Sequence, residues 1–187
     1  AWSFTVFILG NATVFNALLY KGRFPKKNIP EKLHTFYLKT LDKLFKQDLP
    51  RNNFLLQLLF FGKLLFPEGN PIECNLQIFS SAKEGVQKAK ITYVQGDIIK
   101  QLTDASKPIN FVSFSDVPSY FEDNTEKTFL QTIHPKLAKN CILVIRNYLR
   151  VPVGTNKNGY EDITNDYRSL IGQEKVQMYL IEVLKKL

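Results

Sequence analysis

The chain has 187 residues, a formal net charge of +8 and 44% apolar residues. This length and composition suit a single globular domain with a sizeable core, and no apolar run reaches the roughly 18 residues that a membrane-spanning helix needs. The two cysteines and two histidines lack metal-ligand spacing. Basic residues do not alternate with aromatic ones as they do in nucleic-acid-binding motifs.

The cysteines and lysines indicate the compartment and the surface contacts that we expect for the protein. Cys74 and Cys141 lie in apolar-leaning segments, which predicts buried thiols in a reducing compartment. The lysines are dispersed, so the positive charge indicates either a solvated surface or attraction to an anionic membrane. We therefore expect a cytoplasmic protein, with peripheral membrane contact left open, and we expect no bound metal and no nucleic-acid partner.

The first part of the chain, residues 1–89, is predicted to be mostly helical. Residues 11–20 suit a first helix. A second helix is expected to open at Pro30, with Glu31 in its first turn, where the helix dipole favours an acid. Its apolar residues recur at helical spacing until Leu49-Pro50 ends it.

The most apolar segment follows directly. Residues 53–65 are nearly all apolar and predict a buried helix that is broken near Gly62. A turn at residues 67–71 then precedes a further predicted helix at residues 72–88.

Residues 90–187 show short apolar runs that alternate with helical patterns. Such strands, apolar throughout, predict a parallel sheet covered by helices on both faces, within a single α/β domain spanning residues 1–187. The expected elements are a strand at 91–94, a short helix or turn at 97–102, a strand at 109–115, a helix at 124–137, a strand at 141–146, a loop at 151–166 and a last strand at 176–184.

Ligands of such sheets bind beyond the carboxyl ends of the strands. Gly96-Asp97 follows the first predicted strand, so Asp97 could accept a hydrogen bond from an adenine amino group while Gly96 lets the backbone approach a ring. The alternative is a plain turn in which Asp97 caps the next helix.

Ser115 and Asp116 end the second predicted strand, where polar side chains are hard to explain by packing. Asp116 is a candidate general base or a ligand for a substrate amine or hydroxyl, and Tyr120 adds aromatic surface beside it. The alternative is that Asp116 caps the following helix.

Two arginines complete the candidate set. Arg146 and Asn147 end the third predicted strand, and the guanidinium fork of Arg146 suits a carboxylate. Arg168 lies in a polar segment before the last strand, and it belongs either to the rim of the site or to a local salt bridge. Pairing of Arg146 with a nearby aspartate is equally open.

The order of these motifs resembles one family, the S-adenosylmethionine:diacylglycerol 3-amino-3-carboxypropyltransferases of betaine-lipid synthesis and their uncharacterised bacterial relatives. The matching segments are GDI at 96–98, FVSFSDVPSYF at 111–121, LVIRN at 143–147, DYRS at 166–169, ALLYKGRF at 17–24 and NFLLQLLFFG at 53–62. The family has an acidic residue and a tryptophan where this chain has Ser119 and Tyr120.

The resemblance implies a doubly wound Rossmann-like sheet of the S-adenosylmethionine-dependent transferase type, preceded by a helical region. It implies S-adenosylmethionine as cofactor, bound by Gly96, Asp97, Ser115 and Arg146, and a small-molecule or lipid acceptor. Asp116 and Tyr120 are then the expected catalytic residues. Asn147 and Arg168 are the expected substrate-binding residues.

One expected element of that fold is missing from the sequence. A glycine-rich loop after a first strand, with an acidic residue about 20 residues further on, does not occur. Residues 7–11 contain one glycine, which is too few for such a loop. We therefore expect a chain without its first βαβ unit, and two alternatives stay open: methyl transfer on the same fold, and a non-catalytic interaction or membrane-surface module.

Overall fold

The computed structural model describes Phe4, Phe7, Asn11, Thr13 and residues 27–187. Of the helix expected at residues 11–20, only Asn11 and Thr13 are described. The matched segment at residues 17–24 lies outside the described residues.

The chain divides into two compact units. Unit 1 consists of Ala1–Leu38, Gly96–Glu174 and Met178–Leu187, and unit 2 consists of Lys39–Gln95 and Lys175–Gln177. The division predicted near residue 89 between a helical part and a sheet part therefore falls close to one boundary between the units.

Helices and strands of the described residues follow one another along the chain. The helices are α1 (Leu33–Gln47), α2 (Phe54–Phe61), α3 (Leu76–Lys88), α4 (Ile98–Thr103), α5 (Asp123–Ile133) and α6 (Arg168–Gly172). The strands are β1 (Ile109–Ser115), β2 (Leu137–Tyr148), β3 (Tyr160–Asp162) and β4 (Tyr179–Lys186).

Unit 1 contains a four-stranded mixed sheet with the order β1-β2-β4-β3. Strands β1 and β2 are parallel, as predicted, and α5 forms the crossover between them. Strand β4 runs antiparallel to both of its neighbours, so the prediction of a wholly parallel sheet is wrong. The prediction of an α/β protein is confirmed.

The core of unit 1 lies between the sheet and α5. Phe129, Leu130 and Ile133 are buried along the predicted face of α5, because their spacing brings them to one side of the helix. The ring of Phe114 on β1 meets Phe129 edge-to-face, with the centroids 5.8 Å apart. Such an arrangement is a favourable one for aromatic pairs.

Strand β1 differs from its prediction in one respect. Val112 and Phe114 are buried, but Phe111, Ser113 and Ser115 are exposed, so only one face is covered. The side chains of a strand alternate between the two faces of its sheet, and Val112 and Phe114 lie on the face that packs against α5. Apolar composition on both faces therefore did not imply burial on both faces.

The strand predicted at residues 91–94 does not form. Ile91, Tyr93 and Val94 lie in irregular backbone, and their side chains are exposed, 92% in the case of Tyr93. A strand needs a hydrogen-bonded neighbour, and none of the four described strands pairs with this segment. Strong β propensity alone was not sufficient here.

Strand β3 was missed, because its three residues lie inside the loop predicted at 151–166. Tyr160 anchors it: its hydroxyl donates to the carbonyl of Leu130 at 2.7 Å. Burial also raises the pKa of Tyr160, so the phenol stays protonated as a donor.

Unit 2 is helical. Helix α2 ends at Gly62, whose φ of 66° is the left-handed value that favours glycine, and this confirms the predicted break. The prediction that the helix is buried is wrong for its second half, because Leu59 and Phe61 are each about half exposed. Its first half buries Leu56.

The predicted helix at residues 72–88 forms as a short 3₁₀ turn followed by α3, and every residue of α3 is exposed. Cys74 ends that turn and is exposed, contrary to the prediction. Cys141 is buried as predicted, and burial raises the pKa of its thiol.

Candidate functional site

The carboxyl ends of β1 and β2 lie side by side in unit 1. Ser115 pairs with Arg146 in the parallel register, and the N–H of Asp116 donates to the carbonyl of Arg146 at 2.7 Å. Three of the predicted site residues are therefore neighbours, as expected for the carboxyl edge of a parallel strand pair.

Asp116 holds this edge together. Its carboxylate Oδ1 accepts a hydrogen bond from the backbone N–H of Tyr148 at 2.8 Å, which ties the end of β1 to the end of β2. Asp116 precedes the 3₁₀ helix Val117–Tyr120, but its side chain makes no capping hydrogen bond to that helix. The alternative that Asp116 caps the following helix is therefore wrong.

Both parallel strands end in left-handed backbone. The φ of Asp116 is 61°, and the φ of Leu149, directly after β2, is also 61°. Aspartate tolerates this region, whereas leucine adopts it rarely, so the second case is a strained conformation. Strained backbone often clusters at functional sites, so these two positions mark the edge as a candidate.

Arg146 is the most distinctive charged group of the edge. Its side chain is partly buried, and its Nε has no hydrogen-bond partner among the described residues. The guanidinium carbon lies 6.0 Å from the ring centroid of Tyr179, at the outer limit of a cation–π contact. A buried guanidinium N–H without an acceptor is poised to take one from a ligand.

Aromatic rings surround this face of β2. The rings of Tyr148 and Tyr179 lie 5.9 Å apart, and Phe36 of α1 meets Tyr148 edge-to-face at 6.3 Å. The hydroxyl groups of Tyr37 and Tyr148 are also hydrogen-bonded to each other. Tyr148 and Tyr179 were not among the predicted site residues, although both lie at the ends of predicted or observed strands.

A buried ion pair holds the turn after Asp116. Arg150 forms a salt bridge of 2.6 Å with Glu126 of α5, and both side chains are largely buried. The guanidinium of Arg150 also donates to the carbonyl of Ser119, and the hydroxyl of Ser119 donates back to the carbonyl of Arg150. Sequence reasoning missed this network, because its partners are about 25 to 30 residues apart in the chain and no local pattern joins them.

Tyr120 ends that turn with its side chain half exposed. Ser119, directly before it, is fully buried. The turn therefore presents the tyrosine of the predicted catalytic pair at the surface, while the serine serves packing and hydrogen bonding.

Gly96 and Asp97 do not follow a strand, since residues 91–94 are irregular. Asp97 is the N-cap of α4, and its Oδ1 accepts from the N–H of Lys100 at 2.8 Å. The capping alternative for Asp97 is therefore confirmed. Its carboxylate is exposed, as is Gly96.

Asn147 and Arg168 differ from Arg146 in the side of the sheet or in exposure. Successive side chains of a strand point to opposite faces, so Asn147 lies on the α5 side of the sheet, away from the face that carries Arg146. Arg168 begins α6 and is exposed.

Comparisons of the chain with protein-family models, with curated proteins and with solved structures find no match. In the described part of the chain, no helix is long and apolar enough to cross a membrane. The same residues contain no group of three or more His, Cys, Asp or Glu side chains that could hold a metal ion.

Proposed function

We propose that this protein is an S-adenosylmethionine-dependent transferase that moves a 3-amino-3-carboxypropyl group to a lipid hydroxyl. The observation that carries the proposal is the buried, unpartnered Nε of Arg146 at the carboxyl edge of β1 and β2, where a carboxylate can bind. The motif resemblance supplies the reaction type. The parallel pair with its crossover helix also favours a doubly wound, Rossmann-like sheet of the transferase type.

We assign two contacts with S-adenosylmethionine to the residues present. Arg146 offers donors for the carboxylate of the methionine moiety, with Ser115 as its neighbour in the register. Asp97 is exposed at the start of α4, so its carboxylate can accept from the adenine amino group while one oxygen caps the helix.

When bound, S-adenosylmethionine supplies a sulfonium centre that is already a good leaving group, so the chain has to orient the acceptor and move one proton. We assign proton acceptance from the acceptor hydroxyl to Asp116, whose orientation is set by the N–H of Tyr148. Tyr120, exposed on the next turn, is assigned to contact the acceptor.

A lipid acceptor is supported by the apolar surface of unit 2. Leu58, Leu59, Phe60 and Phe61 of α2 are all 43% exposed or more, which is unusual for four consecutive large apolar residues. Together with the net charge of +8, this surface suits peripheral contact with an anionic membrane at the cytoplasmic side.

Calorimetry with S-adenosylmethionine on the full-length protein tests the proposal. We expect saturable binding, weakened about 10- to 100-fold by Arg146→Ala, because a hydrogen bond to a charged group is lost. Lys139→Ala, which removes an exposed cation near the opposite end of β2, is the matched control and should leave the affinity unchanged. The absence of binding, or equal losses in both variants, would contradict the proposal.

Product analysis separates the two transferase reactions. Methylthioadenosine indicates 3-amino-3-carboxypropyl transfer, and S-adenosylhomocysteine indicates methyl transfer. The sheet alone does not decide between them, because one fold hosts many reactions.

A second candidate is a non-catalytic membrane-surface module, and the exposed apolar residues of α2 favour it as much as they favour a lipid substrate. Sedimentation with vesicles of phosphatidylserine and phosphatidylcholine distinguishes the two. Strong, salt-sensitive binding to vesicles without any affinity for S-adenosylmethionine would support the membrane-surface module. Absence of vesicle binding would contradict it.

A further inference from the structure

A cavity of about 550 Å³ lies on the α5 side of the sheet in unit 1. It is formed by α5, the end of β2, β4 and the segment after β2, and its size is ordinary for a small-molecule site. It lies on the face opposite Arg146, because Asn147 and Ile145 line it and both point away from that side chain.

Asn147 is the polar group that marks the cavity. Its side chain is only 4% exposed, and its Oδ1 has no hydrogen-bond partner among the residues that the structure describes. A buried acceptor without a donor costs about 1–3 kcal/mol, so such atoms are rare and call for an explanation. A ligand N–H or O–H in the cavity would satisfy it.

The remaining lining defines the chemistry of that ligand. Phe129, Leu130 and Ile145 form an apolar floor, and all three are buried. The charged groups are Lys157, Glu182 and Asp162. Since Lys157 is ion-paired with Glu182, the lining keeps an excess of one negative charge, carried by Asp162.

The segment that closes the cavity is fixed to α5. The hydroxyl of Thr155 donates to the carbonyl of Glu126 at 2.9 Å, and the N–H of Asn156 donates to the carbonyl of Lys127 at 2.9 Å. The side-chain amide of Gln131 donates to the carbonyl groups of Asn156 and Asn158. The cavity wall is therefore held in place by helix contacts, which lowers the ordering cost of binding.

We propose that this cavity binds a small organic amine with an apolar body, whose N–H donates to Asn147 Oδ1 and whose positive charge faces Asp162. The site is separate from the carboxyl edge that carries Arg146, and it does not depend on the transferase proposal. An apolar floor with a few convergent acceptors is the usual form of a small-ligand site.

Three probes with the same phenethyl body and different charged or polar ends test the proposal by NMR on the full-length protein. Phenethylamine at millimolar concentration should shift the side-chain amide signal of Asn147 and the backbone signals of Thr155 and Asn156 in a saturable way. Phenethyl alcohol should bind more weakly, and hydrocinnamate, an anion, should not bind. Saturable binding of hydrocinnamate with the same affinity, or no saturable shift with phenethylamine, would overturn the proposal.

Variants locate the binding. Asn147→Leu removes the unpartnered acceptor at nearly constant volume, so we expect a folded protein of equal or greater stability that binds phenethylamine at least about tenfold more weakly. Thr132→Val, on the exposed side of α5, is the control and should bind normally. Binding by Asn147→Leu as tight as that of the natural chain contradicts the proposal.

A second variant covers the case in which Asn147→Leu fails to fold. Asp162→Asn lies at the exposed end of β3 and should fold, and it should weaken phenethylamine while leaving phenethyl alcohol unchanged. Equal effects on both probes would contradict the assigned charge. Affinity for S-adenosylmethionine should stay the same in these variants, so failure of one proposal is distinguishable from failure of the other.

Discussion

Unit 1 and unit 2 bury different kinds of side chain at their centres. The core of unit 1 is apolar and includes Phe114, Phe129 and Leu143. The most buried residue of α2 in unit 2, besides Leu56, is Gln57, which is 0% exposed. Unit 2 also buries Leu41, Leu44 and Leu56, so it combines apolar packing with side-chain-to-backbone hydrogen bonds at its centre.

Gln57 shows how a buried amide becomes structural. Its Nε2 donates to the carbonyl groups of Arg51 and Phe66 at 2.8 and 2.9 Å. Its Oε1 accepts from the N–H groups of Leu65 and Phe66 at 2.7 and 2.8 Å. All of its hydrogen-bonding capacity is used, so the side chain closes the segment after α2 and leaves nothing for a ligand.

Asn147 and Arg146 of unit 1 are the opposite case, since each keeps a buried polar atom without a partner in the described part of the chain. Burial alone does not distinguish Gln57 from Asn147, but the state of their hydrogen bonds does.

The largest expected effect is on the apolar core. Phe129→Ala should lower the free energy of unfolding by about 4 kcal/mol, because it removes a buried ring and leaves a cavity beside Phe114. Phe79→Ala in α3 is the matched control, and it should change stability little, since Phe79 is 55% exposed. Urea denaturation followed by circular dichroism measures both. Equal losses would show that the exposed apolar residues of unit 2 are covered in solution.

The next effect should fall on the polar centre of unit 2. Gln57→Leu nearly keeps the side-chain volume but leaves two carbonyl and two N–H groups without their partner. We expect the free energy of unfolding to fall by about 3 kcal/mol. Gln77→Leu, an exposed glutamine of α3, should be nearly neutral. Hydrogen exchange at Leu65 and Phe66 should become faster in the first variant only. Unchanged exchange there would contradict the assigned role of Gln57.

A smaller effect is expected from the glycine that lies against this network. A Cβ at Gly69 would overlap both Gln57 Nε2 and the carbonyl oxygen of Arg51, so Gly69→Ala should cost about 2 kcal/mol. Gly85 in α3 has open space around it, and Gly85→Ala should instead stabilise by about 0.5–1 kcal/mol through helix propensity. Changes of opposite sign in the thermal unfolding temperature of the two variants would confirm this difference, and changes of the same sign would contradict it.

The sequence predicts the elements of this fold better than their surroundings. Periodicity placed the start of α5 and the buried residues Phe129, Leu130 and Ile133 correctly, but the helix ends at Ile133, and Leu137, expected on the same face, begins β2. The apolar runs at residues 53–65 and 91–94 led to wrong predictions of burial. Hydrophobicity favours burial, but it does not show whether another segment is present to cover the side chains. The antiparallel direction of β4 was also not predictable, because side-chain alternation is the same in both directions.

The candidate site was likewise only partly predictable from the sequence. That Ser115 and Arg146 lie side by side at the carboxyl edge was predictable, but β2 continues to Tyr148, two residues beyond its predicted end. The role of Asp116 was not, because its partner is a backbone N–H more than 30 residues away. Asn147 was assigned to the same site as Arg146, although adjacent residues of one strand face opposite sides of a sheet.

The smallest expected effect is a pH dependence at the cavity of unit 1. The pKa of the Asp162 carboxyl lies below its usual value of 3.8, mainly because Thr164 donates to the carboxylate through its side chain and its backbone N–H, with Lys157 adding a favourable charge. A carboxyl with a lowered pKa in the folded state stabilises the protein above 3.8, and that stabilisation is lost as the pH falls through the lowered pKa. Since Asp162 is exposed, the contribution should stay below about 1 kcal/mol.

An NMR titration of the Asp162 carboxyl, paired with urea denaturation of the natural chain and of Asp162→Asn, measures this effect. The stability difference between the two proteins should be present at neutral pH and should shrink once the pH is below 3.8. Thr164→Val is the control, because it removes the side-chain donor and should move the midpoint of Asp162 upward while the carboxylate itself is kept. A midpoint above 3.8 in the natural chain would show that Asp162 is not held by Thr164, and it would also weaken the case for a fixed negative charge in the cavity.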